Sequence, residues 1–186
     1  MGEPMEFLKN RKTAKGITAL IILFSILLGA HLSLTKLKEE TLSVFYQGEN
    51  KGEKGIQSDL EYISDQCYNL TVVARRYMNR EEEEIKEISE RLEALKKADT
   101  PGDKYQAKEN LIKASMELHE KLNLMNLSEK DRYYCDSFPV NLKSRELIIS
   151  HNSYNEKAAS YNRCLQRFPA NILSRITFVK PLELYE

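Results

Sequence analysis

Residues 56–77 read IQSDLEYISDQCYNLTVVARRY, and within them Ile56, Leu60, Ile63, Cys67, Leu70, Ala74 and Tyr77 step by 4, 3, 4, 3, 4, 3. That spacing lays one apolar stripe along a helix and leaves the remaining faces polar. Ile85, Ile88, Leu92 and Leu95 resume the stripe, so the pattern predicts one long amphipathic helix ending near Asp99. On its outer face Glu82 with Lys86, Glu87 with Arg91 and Glu93 with Lys97 stand four apart with the acid first, the stabilising order on a helix. An apolar stripe exposed to water is unstable alone, so the rest of the chain must supply partners for it.

Thr100-Pro101-Gly102-Asp103 provides a helix stop followed by a new start, with Pro101 suited to a first-turn position. Leu111, Ser115, Leu118, Leu122 and Met125 then mark a second helix. Asn126 to Pro139 loses the periodicity and reads as a loop with Tyr133, Tyr134, Cys135 and Phe138 as apolar anchors. A final seam, Leu147, His151, Tyr154, Ala158, Tyr161, Leu165 and Phe168, again steps by 4 and 3, until Pro169 stops it. Upstream, Gly48, Gly52 and Gly55 among polar residues predict a hinge or loop. The expected fold is all-α: an N-terminal transmembrane helix followed by an antiparallel up-and-down helical bundle of about four helices, Leu37–Phe45 being the fourth.

The transmembrane expectation rests on Ile17–Leu34, ITALIILFSILLGAHLSL, with no formal charge unless His31 is protonated. Eighteen helical residues rise roughly 27 Å, close to the hydrocarbon thickness of a bilayer. A removable signal peptide is the competing reading, but Leu28 and Ala30 before His31 make a weak cleavage site and helical periodicity resumes at once. Lys9, Arg11, Lys12 and Lys15 precede the span while Lys36 and Lys38 follow it, which favours a cytoplasmic N-terminus and an extracytoplasmic bundle at the cell membrane. His31 fits an interfacial position. The layout is then a basic tail over 1–16, the span over 17–34 and a bundle domain over 36–186.

With 28 basic and 28 acidic side chains there is no charge bias toward nucleic acid. Cys67, Cys135 and Cys164 are widely separated and odd in number, which favours buried thiols; a Cys135–Cys164 bridge stays open if the domain faces an oxidising compartment. Glu81–Glu84 is read as a solvated helix face, since consecutive helical residues diverge and cannot converge on one ion. No metal, cofactor or catalytic residue is expected: His119-Glu120 lacks a second histidine at zinc spacing, and no phosphate-binding or nucleophile motif occurs.

The C-terminal stretch reads SYNEKAASYNRCLQRFPANILSRITFVKPLELYE, with two Tyr-Asn pairs seven apart, then Phe168-Pro169-x-Asn171-Ile172, then Phe-x-Lys-Pro and a closing Tyr185-Glu186. This resembles the signature of the LemA family, whose members share a short tail, one membrane span and a helical bundle, and whose biochemical role is not settled. The resemblance covers about residues 17–186. Tyr77 with Arg80-Glu81 resembles the family's Tyr-x-x-His-Glu, and Arg91 matches an arginine a turn or so later. The chain departs from the pattern at Tyr68, where the family has proline, at Arg80 for histidine, at His151 for arginine, and in the three glycines at 48–55.

Tyr154 and Tyr161 fall on the last seam and should be buried, with Asn155 and Asn162 flanking it and bonding a neighbouring helix as a register device. Glu81 falls in the seam between Tyr77 and Ile85, where a carboxylate needs a partner; His151, Asn155 or Asn162 is expected to supply it, in a buried polar layer. The apolar tail after Pro169 should fold back on the core, or else dock on a membrane surface or another protein. These readings imply a non-enzymatic structural or interaction protein with the bilayer and other envelope proteins as partners, or alternatively an accessory or signalling subunit of a membrane complex.

Overall fold

The computed structural model describes residues 11–50, 52–79 and 82–186. Among them there is no strand, and seven helices occur: α1 (Arg11–Gln47), α2 (Ile56–Ala74), α3 (Glu83–Lys97), α4 (Pro101–Asn123), α5 (Glu129–Ser150), α6 (Tyr154–Gln166) and α7 (Ala170–Ile176). The all-helical expectation holds, but six helices follow α1 where the seams suggested three. The chain forms two compact units. Among the described residues, one is Thr41–Ala158 with Glu183–Glu186; the other is 11–40 with Ala159–Leu182.

In the larger unit α2 packs on α3, α4 and α5, and α4 packs on α3 and α5. Leu60, Ile63, Leu70, Ile85, Ile88, Leu111, Leu118 and Leu122 are fully covered, so the predicted stripes face inward over most of their length, with Tyr77, Leu92 and Met125 only partly covered; Phe138 is fully covered as well. The single long helix expected from Ile56 onward is instead two. Between Tyr77 and Ile85 only Met78 is apolar, so a helix continuing outward would bury almost nothing. Turning after Ala74 lets α3 pack on α2, and the two halves of one stripe serve each other. A 4,3 pattern is the same for a straight helix and a hairpin.

The segment read as a loop, Asn126 to Pro139, is mostly the first half of α5, which runs through Pro139. Ser128 caps it, its hydroxyl accepting from the Asp131 N–H at 3.2 Å. Cys135, Phe138 and Leu142 are buried, so the apparent anchors are another helical stripe. A proline inside a helix cannot donate to the carbonyl four residues back, here Cys135. That carbonyl lies 3.0 Å from Nε2 of the buried His119 on α4, which can donate in place of the missing backbone N–H. Pro101 stands in the first turn of α4, as expected, and Thr100 caps it, its side chain accepting from the Asp103 N–H.

The last seam is likewise broken. α5 ends at Ser150 and α6 begins at Tyr154, whose N–H is taken by the Asn152 side chain at 2.9 Å. Leu147, His151 and Phe168, counted on the seam, are exposed, while Tyr154, Ala158, Tyr161 and Leu165 are buried. The three glycines do form the expected connection between α1 and α2. Gly48 and Gly52 hold φ of 86° and 97°, and a Cβ on Gly55 would collide with the Phe45 carbonyl.

In the smaller unit, the part of α1 from Leu20 to Leu32 exposes a run of large apolar side chains; among the described residues α1 is the one helix long and apolar enough to cross a membrane. α7 ends in a six-residue closing bond from the Val179 N–H to the Ser174 carbonyl, 2.9 Å. The residue in the left-handed position of that turn is Phe178, φ 58°, where glycine is usual and a side chain costs roughly 1–2 kcal/mol.

Replacing His119 with Leu strands the Cys135 carbonyl and is expected to destabilise the fold by about 1–3 kcal/mol. Pro139→Ala restores a backbone donor, so the His119→Leu penalty measured by urea unfolding in detergent should shrink in the Pro139→Ala background. Equal penalties in both backgrounds would refute the substitution of ring N–H for backbone N–H.

Candidate functional site

The residues that carry the C-terminal motif meet the chain's own end. On the smaller unit's part of α6, Asn162 uses both ends of its amide: Nδ2 donates to the Leu182 carbonyl at 2.8 Å, and Oδ1 accepts from the Leu182 N–H at 2.8 Å. Tyr161 adds a longer bond from its hydroxyl to the Lys180 carbonyl, 3.4 Å. On the larger unit's part, Asn155 does the same to Tyr185, at 2.9 and 2.7 Å, and the Tyr154 hydroxyl donates to the Glu183 carbonyl at 2.7 Å. An asparagine amide thus acts as a strand neighbour would, pairing one residue's N–H and C=O together.

The sequence spacing explains why the pair occurs twice. Seven residues of helix rise about 10 Å, and three residues of extended chain cover about 9–10 Å. Tyr-Asn pairs seven apart on a helix therefore match tail residues three apart, Leu182 and Tyr185, which are the two buried residues of the final segment. The expectation that Asn155 and Asn162 bond a neighbouring helix is corrected: they bond the extended tail. Of the apolar tail after Pro169 only the end, at Leu182 and Tyr185, folds back under cover, while Ile172, Ile176 and Phe178 stay exposed; the Tyr185 ring packs on Phe45 and Tyr105 at 5.7 and 5.3 Å between centroids. Phe45 also meets Tyr154 edge-on at 5.2 Å. Burial pushes the Tyr154 and Tyr185 phenols well above their ordinary pKa, which keeps both neutral.

A second cluster lies where α2 ends and α5 begins. Arg76 and Tyr77 reach Asp131 at 2.6 Å each, Ser128 Oγ donates to Asp131 at 2.9 Å, and the Ser128 N–H donates to the Tyr77 hydroxyl at 3.0 Å. These donors, Tyr77 first, hold the Asp131 carboxyl below the usual carboxylate range. Nearby elements are tied similarly: buried Asp59 accepts from Arg145 at 3.0 Å, and the Arg145 guanidinium stacks 4.0 Å over Tyr62. Buried Lys108 pairs with Glu109 and, at 3.4 Å, with Glu146 beside a cavity of about 420 Å³ lined also by Tyr105 and Tyr185.

The remaining motif residues do not join one site. Arg91 is exposed on α3 and pairs with Glu87 at 3.0 Å. Phe168 is exposed and Asn171 sits in the first turn of α7 after Pro169; the Phe168–Pro169 peptide is cis. Glu81 lies outside the described residues. The partners expected for it are otherwise engaged: His151 is exposed, with Nδ1 2.7 Å from the Leu147 carbonyl, and both asparagines hold the tail. Within the charge run, Glu84 pairs with Lys121 of α4 at 2.7 Å, a packing contact between α3 and α4. The Asp131 cluster went unrecognised in the sequence, although Ser128-x-x-Asp131 is a helix-start pattern that could have revealed α5. Among the described residues no group of acidic, histidine and cysteine side chains is arranged to hold a metal ion.

A helical bundle whose closing tail is seized by paired Tyr-Asn motifs, preceded by an apolar helix of membrane-spanning length, defines the class of protein. The LemA family model matches residues 52–186, and the chain belongs to the LemA family. No curated protein and no solved structure matches it.

Asn155→Ala and Asn162→Ala each remove two bonds and leave a tail N–H and C=O unpaired. Each should cost about 1–3 kcal/mol in urea unfolding in detergent; a cost near zero for both would contradict the paired geometry. For Asp131→Asn the loss should be full between about pH 5 and 8. A carboxyl depressed in the folded state stabilises above its unfolded pKa of about 3.9, and that contribution disappears as pH falls through the folded value. The gap between wild type and variant should therefore close below about pH 4, and a gap that widens on acidification would refute the assignment.

Proposed function

We propose that the chain is a membrane-anchored, non-enzymatic bundle that serves as a structural or interaction protein of the cell envelope, with the bilayer and other envelope proteins as its partners. The observation that carries the reading is the exposed apolar run of α1: Leu20, Ile21, Ile22, Leu23, Phe24 and Ile26 are each more than half exposed, which only an apolar surrounding makes favourable. The short connections between successive helices of the bundle favour the antiparallel up-and-down arrangement. The polar atoms of the Tyr-Asn motif are engaged with the chain's own backbone, which suits a part that holds shape. The basic residues before the span favour a cytoplasmic N-terminus and an extracytoplasmic bundle. A second reading, an accessory or signalling subunit, is favoured by α1 running unbroken from Arg11 to Gln47, since one continuous helix can transmit movement of a span.

The thiols provide the test. All three are free; Cys67 and Cys135 are buried, with burial raising the Cys67 thiol to about 11, and Cys164 is half-exposed. After alkaline washing the full chain should stay in the membrane pellet, and an impermeant maleimide should label Cys164 in intact spheroplasts while Cys67 and Cys135 label only after denaturation. Release by alkali would overturn the anchored reading. Labelling of Cys164 only after permeabilisation would place the domain in the cytoplasm and favour the signalling reading.

A further inference from the structure

From Ala159 to Leu182 the chain carries Arg163, Arg167, Arg175 and Lys180 and no acidic residue, in a protein whose 28 basic and 28 acidic side chains balance over the whole chain. All four cations are exposed. So are four large apolar side chains of the same segment: Phe168 at 80%, Phe178 at 87%, and Ile172 and Ile176, which stand four apart on one face of α7. This is not the surface of a helix end closed only for stability. Phe178 occupies a left-handed position that glycine fills without strain, and its ring gains no cover there. Two unfavourable choices at one residue point to an apolar surrounding for the ring.

We propose that α7 and the turn after it dock on the bilayer surface, with Phe168, Ile172, Ile176 and Phe178 entering the headgroup–acyl boundary and the four cations meeting anionic lipid headgroups. The proposal rests on the anchored reading of α1, which brings a bilayer to the chain, and on the grouping of Ala159–Leu182 with residues 11–40 in one compact unit. Apolar rings and aliphatic side chains with interspersed Arg and Lys, and no carboxylate to repel phosphate, are the composition that binds an anionic membrane interface. A protein partner would ask for complementary acids or a shaped groove. A lipid surface asks only for this mixture of cations and exposed apolar side chains, and it lies at hand for any chain anchored by α1.

The chain has no tryptophan, so Phe178→Trp and, as a second reporter should that variant misfold, Ile172→Trp place a single fluorophore in the full-length protein. A Tyr133→Trp protein, altered at an exposed position on α5, is the control. Each is reconstituted into vesicles of phosphatidylcholine with phosphatidylglycerol, with and without brominated acyl chains, and separated by flotation. The proposal predicts flotation of all three, with roughly half or more of the emission of the Phe178→Trp and Ile172→Trp proteins lost to brominated lipid, as for a ring roughly 5–10 Å into the boundary, and little loss in the control. Adding Arg175→Glu and Lys180→Glu should reduce the docked-to-free ratio roughly fivefold or more for each cation reversed, and less in pure phosphatidylcholine. Failure to float would overturn the anchor and the docking together. Flotation with quenching no greater than the control would overturn the docking alone, and a blue shift that depends on protein concentration but not on brominated lipid would assign the face to a second copy of the chain.

Discussion

The pairing of an asparagine amide with both backbone groups of a tail residue is the interaction on which this fold depends. An extended segment has no internal hydrogen bonds, so its N–H and C=O groups can be buried only if something else bonds them. Asn162 does this for Leu182 and Asn155 for Tyr185. Once those groups are satisfied, the Tyr185 side chain can cover Phe45 and Tyr105, which bury aromatic surface contributed by α1 and α4. Without the amides the same apolar residues would have to be buried with unpaired backbone beside them.

A related substitution of side chain for backbone appears inside the bundle. Pro139 removes a donor from the middle of α5, and His119 of α4 lies within bonding distance of the orphaned Cys135 carbonyl. The proline thereby becomes a link between two helices rather than a break in one. At the other end of α5, Asp131 gathers Tyr77, Arg76 and Ser128, so the turn that ends α2 and the cap that starts α5 are held by one carboxylate.

The sequence made the helical class, the glycine connection, the Thr100-Pro101 start and the inward-facing stripes legible, because each has a local physical cause. Its misreadings share another cause. Periodicity reports which side of a helix is apolar but not whether the helix continues, so α2 and α3 merged across Tyr77, and the end of α5 merged with α6 across His151. Pro139 suggested a loop because the donor that excuses it, His119, lies twenty residues away in sequence. The Tyr-Asn pairs were visible as a motif with a seven-residue repeat, yet their partner was not. A helix neighbour and an extended tail both satisfy an amide, and only the match of seven helical residues to three extended ones distinguishes them.

If the tail is held as described, its backbone amides at Leu182 and Tyr185 should be among the protected ones, because each donates to a half-buried asparagine oxygen. Hydrogen exchange resolved to single residues in the full chain in detergent measures this directly. These two amides should exchange as slowly as those of α6, while the Glu183 amide between them exchanges faster. Exchange of Leu182 and Tyr185 at the rate of an unstructured terminus would contradict the paired tail and the closing role given to it.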